Sequence, residues 1–325
     1  MAGLVNGEWV KGDIADSETK SGSFEREDTQ FRNWIKPPVE SGRYQLFVSY
    51  TCPWASRTLI FRKLKGLEEH ILLSIAEPAM GEEGWQYDKP QDAGKHLPEV
   101  HHHHQLYTAT DPDYTGKVSV PVLWDRKEGC IVNNESADII RILNSAFDDL
   151  TGNDLDFYPE SLREEIDAWN DLIYPKLNNG VYRAGFAKDQ AAYDEAVSEV
   201  FEALDRIESH LASHRYLAGA YLTEADWRLF VTLVRFDAAY HGVFKCNIRR
   251  IEDYPHLSNY LRELYQWPGV SDTVNLEHIK KGYYSIKAVN PTCIVPMGPE
   301  LDFERAHDRE RLSGKGIYQG TAAAK

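Results

Sequence analysis

The chain has few basic residues for its length, and this scarcity excludes one class of partner. Of its 325 residues, 36 are Lys or Arg and 51 are Asp or Glu, which gives a formal net charge of −15. A nucleic-acid surface needs clustered Lys and Arg to contact phosphates. We therefore expect no nucleic-acid partner.

Long apolar runs are also lacking. No run approaches the roughly 18 to 20 residues that a membrane helix requires, and the first 20 residues lack the apolar core of a secretory signal peptide. We expect a cytoplasmic protein with no membrane association. The hydrophobic content of 42% is sufficient for two domains with packed cores.

Cysteine is scarce, and its spacing excludes two kinds of cross-link. The four cysteines are far apart and never form a C-x-x-C pair: they are Cys52, Cys130, Cys246 and Cys293. This pattern fits neither a disulfide framework nor a zinc knuckle, so we expect four free thiols. Four consecutive histidines, His101 to His104, lie between polar segments, and we interpret them as a solvated loop or helix end. We expect no metal site.

The first half of the chain follows an α/β pattern. Residues 1–40 are rich in Gly, Ser, Asp and Glu, and we predict an N-terminal extension that forms an extended arm with packed aromatic side chains at Trp9, Phe24, Phe31 and Trp34. Residues 41–157 predict a strand at 44–50, a helix from Pro53 to Gly66, a strand at 71–75, a hairpin at 118–132 and a helix that begins near Ser136. This order predicts a thioredoxin-like α/β domain.

The second half reads as helix only. Residues 158–290 predict an all-helical domain that opens with a capping box at Ser161 and Glu164. A long amphipathic helix is predicted over 193–211, and another begins at Thr223 with Asp226 as its capping partner. Residues 291–325 contain Pro296, Pro299 and many charges, and we expect an extended tail that ends in disorder.

One cysteine stands where a thiol is chemically active. Cys52 follows the predicted strand and precedes Pro53, which suits the first position of a helix. Unpaired N–H groups and the helix dipole at such a position stabilise a thiolate, whereas most free cysteines are simply small buried residues. Ala55 occupies the position of a second, resolving cysteine. A disulfide at Cys52 therefore has to be resolved by a thiol from outside the chain.

Two further motifs have both a structural and a functional interpretation. A cis bond at Val120-Pro121 leaves the preceding backbone N–H and C=O free to pair with an extended peptide-like ligand, but Pro121 is equally consistent with an edge strand. Glu135 and Ser136 fit ordinary helix capping. They also fit a site that holds the ammonium and carboxylate of an amino-acid head group.

Six motifs in order resemble the glutathionyl-hydroquinone reductases, also called Xi-class glutathione transferases. They are Thr51-Cys52-Pro53-Trp54-Ala55, Gly84-Trp85, Val120-Pro121-Val122-Leu123-Trp124-Asp125, Asn133-Asn134-Glu135-Ser136, Tyr182-Arg183-Ala184-Gly185-Phe186-Ala187 and Asn290-Pro291. The resemblance covers about residues 25 to 300. Each motif alone is weak to moderate in specificity, but their shared order makes the resemblance strong.

The resemblance implies a glutathione transferase fold, a homodimer and a set of roles. Cys52 is implied as the nucleophile, and glutathione, used as a cosubstrate, is implied to bind at Trp85, Lys117, Val120, Pro121, Glu135 and Ser136. The aromatic substrate is implied to contact Tyr182, Tyr240 and Tyr283, and the first two of these are also candidates to supply or position a proton.

The chain departs from the family pattern at two of these positions. Gly282 precedes Tyr283 where the family usually has His, and Lys117 stands where it often has Arg, so the bidentate fork of a guanidinium is absent. The implied activity is glutathione-dependent reduction of S-glutathionyl-hydroquinones through a Cys52 mixed disulfide. The alternatives are an omega-like thiol transferase or dehydroascorbate reductase, use of another γ-glutamyl thiol, and a non-catalytic interaction module.

Overall fold

The chain is divided between two units, each built from more than one stretch of sequence. In the computed structural model, which describes residues 3–12, 19–20, 23–24 and 28–320, the first unit comprises 1–18, 26–153 and 277–288. The second comprises 19–25, 154–276 and 289–325. The clearest difference from the predicted boundaries is the segment 277–288, which belongs to the first unit.

The elements are numbered in chain order. The strands are β1 (Gly3–Val5), β2 (Glu8–Val10), β3 (Thr19–Lys20), β4 (Ser23–Phe24), β5 (Tyr44–Val48), β6 (Ile71–Ile75), β7 (Gln86–Gln91), β8 (Val100–His102), β9 (Val122–Asp125), β10 (Cys130–Asn133), β11 (Leu155–Asp156), β12 (Tyr221–Leu222) and β13 (Gly316–Gln319).

The α-helices are α1 (Pro53–Leu64), α2 (His104–Thr110), α3 (Ser136–Ser145), α4 (Asp148–Thr151), α5 (Arg163–Ile173), α6 (Gly180–Gly185), α7 (Gln190–Leu211), α8 (Glu224–Arg235), α9 (Pro255–Tyr265) and α10 (Leu276–Tyr284). Shorter turns are π-helical at Tyr174–Asn178 and Phe236–Tyr240, and 3-10 at Glu160–Leu162, Ile251–Asp253, Ser271–Thr273 and Arg309–Arg311.

A four-stranded sheet in the order β10-β9-β5-β6 forms the centre of the first unit. β5 pairs with β6 in parallel and with β9 antiparallel, and β9 pairs with β10 antiparallel. Every residue of β5 is buried, as its aromatic and β-branched composition predicts. Two parallel strands require a crossover connection, and α1 supplies it. The predicted thioredoxin-like α/β arrangement is confirmed.

The N-terminal aromatic residues have different environments. The ring of Trp9 stacks on His104 with centroids 5.2 Å apart, and Phe31 stacks on Tyr114 at 5.5 Å. Trp34 is 52% exposed, so the prediction that it packs is wrong. The side chain of Phe24 lies outside the described residues.

The second unit is helical, as predicted. α7 extends the predicted 193–211 helix back to Gln190, because Asp189 accepts a hydrogen bond from the Ala192 amide and caps it. The capping box of Thr223 and Asp226 is confirmed. The predicted box at Ser161 is wrong: Ser161 lies inside the 3-10 turn that precedes α5, so it is not the residue before the first helical turn. Among the described residues no helix is long and apolar enough to cross a bilayer.

The C-terminal segment is more ordered than expected. β13 pairs with β11 antiparallel and with β12 in parallel, so it is the middle strand of a three-stranded sheet. Arg309 is fully buried and donates hydrogen bonds of 2.7 Å to the carbonyl oxygens of Leu211, His214 and Arg215. Residues 291–320 are thus part of the second unit, and residues 321–325 lie outside the described range.

Candidate active site

Cys52 occupies the N-cap of α1. Its backbone is extended (φ −78°, ψ 122°), Pro53 is the first helical residue, and the Ser56 amide donates a 3.0 Å hydrogen bond to the Cys52 carbonyl. The first turn contains no acidic residue, so no carboxylate there offsets the partial positive charge of the helix terminus. The half-buried thiol lies 3.4 Å from the carbonyl oxygen of Val120. The structure thus brings two predicted site residues together.

The other cysteines differ from Cys52 in their surroundings. None of the four forms a disulfide bond. Burial raises the pKa of Cys130, with smaller contributions from Asp125 and Glu128, and burial raises the pKa of Cys246 to about 12. Neither of these two thiols is suited to act as a nucleophile at neutral pH, because the thiolate is the reactive form.

The segment before Pro121 is fixed by two buried rings. The Val120–Pro121 bond is cis, as the sequence interpretation allowed, and Val120 is buried. The Tyr107 hydroxyl donates to the Ser119 carbonyl at 2.9 Å and accepts from the Ser119 amide at 3.1 Å. Nε2 of His103 lies 3.0 Å from the same carbonyl. The backbone next to Val120 is therefore oriented from the core.

His103 corrects the interpretation of the histidine run as a solvated segment. It is fully buried, its Nδ1 lies 2.7 Å from the Tyr87 hydroxyl, and burial lowers its pKa to about 3. The ring is therefore neutral near pH 7. Because Nε2 faces the carbonyl of Ser119, Nε2 carries the hydrogen and Nδ1 accepts from Tyr87.

Glu135 and Ser136 form the start of α3. The Glu135 carboxylate accepts a 3.0 Å hydrogen bond from the Ala137 amide, which confirms its capping role. The Ser136 hydroxyl lies 3.4 Å from the Glu135 carboxylate and accepts at 3.4 Å from Arg57, a fully buried residue of α1. The Arg57 guanidinium also lies 4.6 Å from the ring centroid of Trp54. A carboxylate, a hydroxyl and a cation thus meet at one helix terminus.

Trp85 and Lys117 are the remaining predicted binding residues of the first unit. Trp85 is half-buried, and its carbonyl accepts a 2.8 Å hydrogen bond from the His103 amide. The preceding Gly84 has φ +75°, and a Cβ there would lie 2.7 Å from the Trp9 ring, so this motif requires glycine. Lys117 is half-buried, and its carbonyl accepts from the Tyr114 hydroxyl at 3.0 Å.

The segment that carries Tyr283 packs beside the cysteine loop. The Thr51 hydroxyl lies 2.9 Å from the carbonyl oxygens of both Pro78 and His278. A Cβ on Gly282 would lie only 2.3 Å from the Thr51 side chain. The departure from the family pattern at Gly282 therefore has a steric reason, and it places the buried Tyr283 on a helix that touches the residue before Cys52.

Tyr182 and Tyr240 lie together in the second unit. Their ring centroids are 6.1 Å apart, and both contact Phe244, at 5.3 and 5.5 Å. A Cβ on Gly185 would lie 2.4 Å from Phe244, which explains the glycine of this motif. Tyr182 is half-buried and Tyr240 is fully buried.

Two family models match the chain. The glutathione S-transferase N-terminal domain matches residues 51–146, and the glutathione S-transferase C-terminal domain matches residues 190–263. Glutathionyl-hydroquinone reductase YqjG of Escherichia coli is 48% identical over 95% of this chain and 99% of its own length. Glutathionyl-hydroquinone reductase PcpF of Sphingobium chlorophenolicum is 49% identical over 92% of this chain and 96% of its own length.

The chain belongs to the glutathionyl-hydroquinone reductase family, the Xi class of glutathione transferases.

Solved structures agree with this assignment. The Xi-class transferase from Natrialba magadii is 46% identical to this chain and superposes on it with a TM-score of 0.86. The match covers 96% of this chain and 97% of the Natrialba chain. The glutathione-bound structure of YqjG covers 86% of this chain with 96% of its own and has a TM-score of 0.82 at 49% identity.

Several residues around the candidate site have contacts that the sequence does not predict. Arg57 and Tyr107 belong to none of the six motifs, Thr51 stands only as the residue before Cys52 in its motif, and His103 only as part of the histidine run. Arg57 is the one with a usable signal, because a charged residue among the apolar positions of a predicted helix needs a buried partner. The others act through hydrogen bonds to backbone groups that are distant in sequence, and residue spacing does not reveal such contacts.

Proposed function

We propose that this protein reduces S-glutathionyl-hydroquinones at Cys52. The Cys52 thiolate attacks the glutathione sulfur, the bond from sulfur to the aromatic carbon breaks, and that carbon takes the electron pair and a proton. The hydroquinone leaves, and Cys52 remains in a mixed disulfide with glutathione. A second glutathione thiolate attacks this disulfide, which restores Cys52 and releases glutathione disulfide.

The position of the thiol is the observation that carries this proposal. Cys52 is the N-cap of a twelve-residue helix, and the helix terminus favours its thiolate. Its Sγ is 3.4 Å from the Val120 carbonyl, beside the cis Val120–Pro121 bond. The absence of a second cysteine at position 55 agrees with resolution by an external thiol.

We propose that glutathione binds at Trp85, Lys117, Val120, Pro121, Glu135 and Ser136. The start of α3 supports this assignment, because the carboxylate of Glu135 suits an ammonium, while the Ser136 hydroxyl and the α3 terminus suit a carboxylate. Arg57 adds a buried positive charge beside Ser136. The relative YqjG has been solved with glutathione bound.

The protonation step is assigned to tyrosine. A hydroxyl that delivers a proton to the aromatic carbon has to reach the substrate, and Tyr182 is half-buried whereas Tyr240 is enclosed. We therefore rank Tyr182 first, with Tyr240 as its neighbour at 6.1 Å and Tyr283 as a contact of the substrate ring. Tyr182→Phe is expected to lower kcat more than it changes KM, because the hydroxyl acts in the transition state.

The test compares glutathione-dependent release of hydroquinone by the wild type and Cys52→Ala, with Cys130→Ala as the matched control. We expect Cys52→Ala to lose turnover and Cys130→Ala to keep it, because burial disfavours the Cys130 thiolate. Mass spectrometry after one turnover is expected to find a glutathione adduct on Cys52. Equal rates for wild type and Cys52→Ala would exclude Cys52 as the nucleophile.

The same assay separates the alternatives. Reduction of dehydroascorbate at a higher kcat/KM than the aromatic conjugate would favour an omega-like thiol transferase, and failure with every thiol would favour a non-catalytic module. Faster turnover with γ-glutamylcysteine than with glutathione would assign another γ-glutamyl thiol as the cosubstrate. We further propose that the enzyme works in the cytoplasm as a homodimer, as the family resemblance implies.

A further inference from the structure

Three side chains outside the proposed thiol site bring metal-binding atoms together. Glu83, His102 and His104 each offer one donor atom, and these three atoms all lie within 4.8 Å of one another. Glu83 lies in the turn closed by the backbone pairing of Gly81 and Gly84, His102 ends β8, and His104 begins α2.

The chain changes from strand to helix at His103. His102 ends β8, His103 is fully buried with helical dihedral angles (φ −60°, ψ −29°), and His104 begins α2. The rings of His102 and His104 are parallel within 3°, with centroids 5.5 Å apart. The backbone is fixed further because Oε1 of Gln105 accepts from the amide of His102 at 2.8 Å.

The distance between the donor atoms of His104 and Glu83 is close to that expected around a tetrahedral ion, and the donor atom of His102 lies somewhat farther away. Nε2 of His104 lies 3.1 Å from Oε2 of Glu83. Ligand bonds of about 2.0–2.2 Å to Zn²⁺ place neighbouring donors about 3.3 Å apart. His102, within 4.8 Å, needs to approach by about 1.5 Å at most. Its Nδ1 is buried and makes no hydrogen bond to any described residue, so its hydrogen-bonding capacity is not fully used.

The charged residues next to this cluster have partners outside it. The nearby ammonium of Lys11 is paired with the Glu82 carboxylate rather than with Glu83. His101 is not part of the cluster, since its side chain is 53% exposed and faces Glu99 at 3.8 Å. Two imidazoles and one carboxylate are the donor set that several zinc sites use, with a fourth position left for water.

We propose that Glu83, His102 and His104 form a binding site for a divalent transition-metal ion, with Zn²⁺ as the best match to the donor set. The site is separate from the thiol chemistry and does not depend on the proposed function. It gives the histidine run a role that a solvated segment lacks.

The decisive measurement is calorimetric titration of ZnCl₂ into the full-length protein after treatment with a chelator. We expect one ion per chain, and at least about tenfold weaker binding in Glu83→Gln, His102→Gln and His104→Gln, because changes even to residues that only support a metal ligand cost 10- to 100-fold. His101→Gln is the matched control and is expected to bind as the wild type does. MgCl₂ is expected to give no heat of binding, because Mg²⁺ prefers oxygen ligands.

Repeating the titration with CoCl₂ and recording the absorption spectrum tests whether the metal binds to a cysteine thiolate instead. A nitrogen and oxygen ligand set gives d–d bands only, whereas a thiolate-to-cobalt charge-transfer band would show that cysteine is the ligand and would overturn the proposal. Unchanged Zn²⁺ affinity in Glu83→Gln would also overturn it. Glu83 is about half exposed on a turn, so this variant is expected to fold even where a histidine variant does not.

Discussion

Replacing Gly282 by alanine is expected to separate stability from activity. A Cβ at this position would lie 2.3 Å from Cγ2 and Oγ1 of Thr51 and 2.5 Å from the Pro78 carbonyl oxygen, where ordinary contacts begin at about 3.4 Å. Thr51 does not simply rotate away, because its hydroxyl lies 2.9 Å from the carbonyls of both Pro78 and His278. The helix and the Thr51 segment therefore have to separate by about 1 Å.

The two effects of that separation differ in size. Overpacking costs about 1–3 kcal/mol, and alanine in place of glycine in a helix returns about 1 kcal/mol, so the free energy of unfolding falls by at most about 2 kcal/mol. Thr51 is bonded directly to Cys52, and a displacement of about 1 Å at a reacting group lowers turnover about 100-fold. The variant is expected to be folded but nearly inactive.

The assay measures urea unfolding, hydroquinone release and the rate at which Cys52 reacts with a thiol probe. Lys281→Ala is the matched control on the same helix, because Lys281 is exposed and pairs only with Glu277 among the described residues. We expect the control to change none of the three measurements appreciably. A Gly282→Ala enzyme with unchanged kcat/KM and unchanged probe reactivity would refute the argument from contact distances.

Two further expectations follow from buried polar groups. Tyr107→Phe leaves the Ser119 amide and the Asn134 side chain without their Tyr107 partner, so we expect the free energy of unfolding in urea to fall by about 1–3 kcal/mol and the KM for the thiol to rise. Tyr44→Phe is the control, because Tyr44 is buried and its hydroxyl has no such hydrogen bond among the described residues. Equal losses of stability in the two variants would contradict the role of the Tyr107 hydroxyl. Burial raises the pKa of Asp226 from 3.8 to about 6 despite hydrogen bonds from Tyr260, Thr223 and Leu217. The folded state therefore keeps this proton to higher pH than the unfolded state does, so stability declines as pH rises from about 4 to about 6, by up to about 3 kcal/mol. Urea unfolding of wild type and Asp226→Asn across this range measures the difference, and a difference that does not vary with pH would contradict the pKa argument.

Local signals predicted the elements around Cys52 well. The aromatic and β-branched run of β5 and the proline at position 53 define a strand and a helix start without any tertiary information. α7 and the capping box at Thr223 were also predicted, because apolar periodicity and paired capping residues are properties of a short stretch of chain.

The errors occurred where distant residues decide the outcome. Ser161 has the spacing of a capping box, but the backbone turns into a 3-10 helix before it. The polar histidine run conceals a core residue, because the partners of His103 are Tyr87 and the Ser119 carbonyl. The sequence around β13 predicts an extended tail because it is rich in charged residues. The pairing of β13 with β11 and β12 joins segments that are far apart in sequence, so no local pattern indicates it.

The division of both units into separate stretches has a consequence for synthesis on the ribosome. The first unit lacks its last segment until residues 277–288 have been made, and about 120 residues separate them from Asn153. At about 5–20 residues per second, roughly 6–25 s pass in which the Cys52 loop exists without the helix that packs against Thr51. During that interval the nascent chain carries the proposed nucleophile before the residues that pack around it are complete, so the Cys52 loop is among the last parts of the first unit to mature.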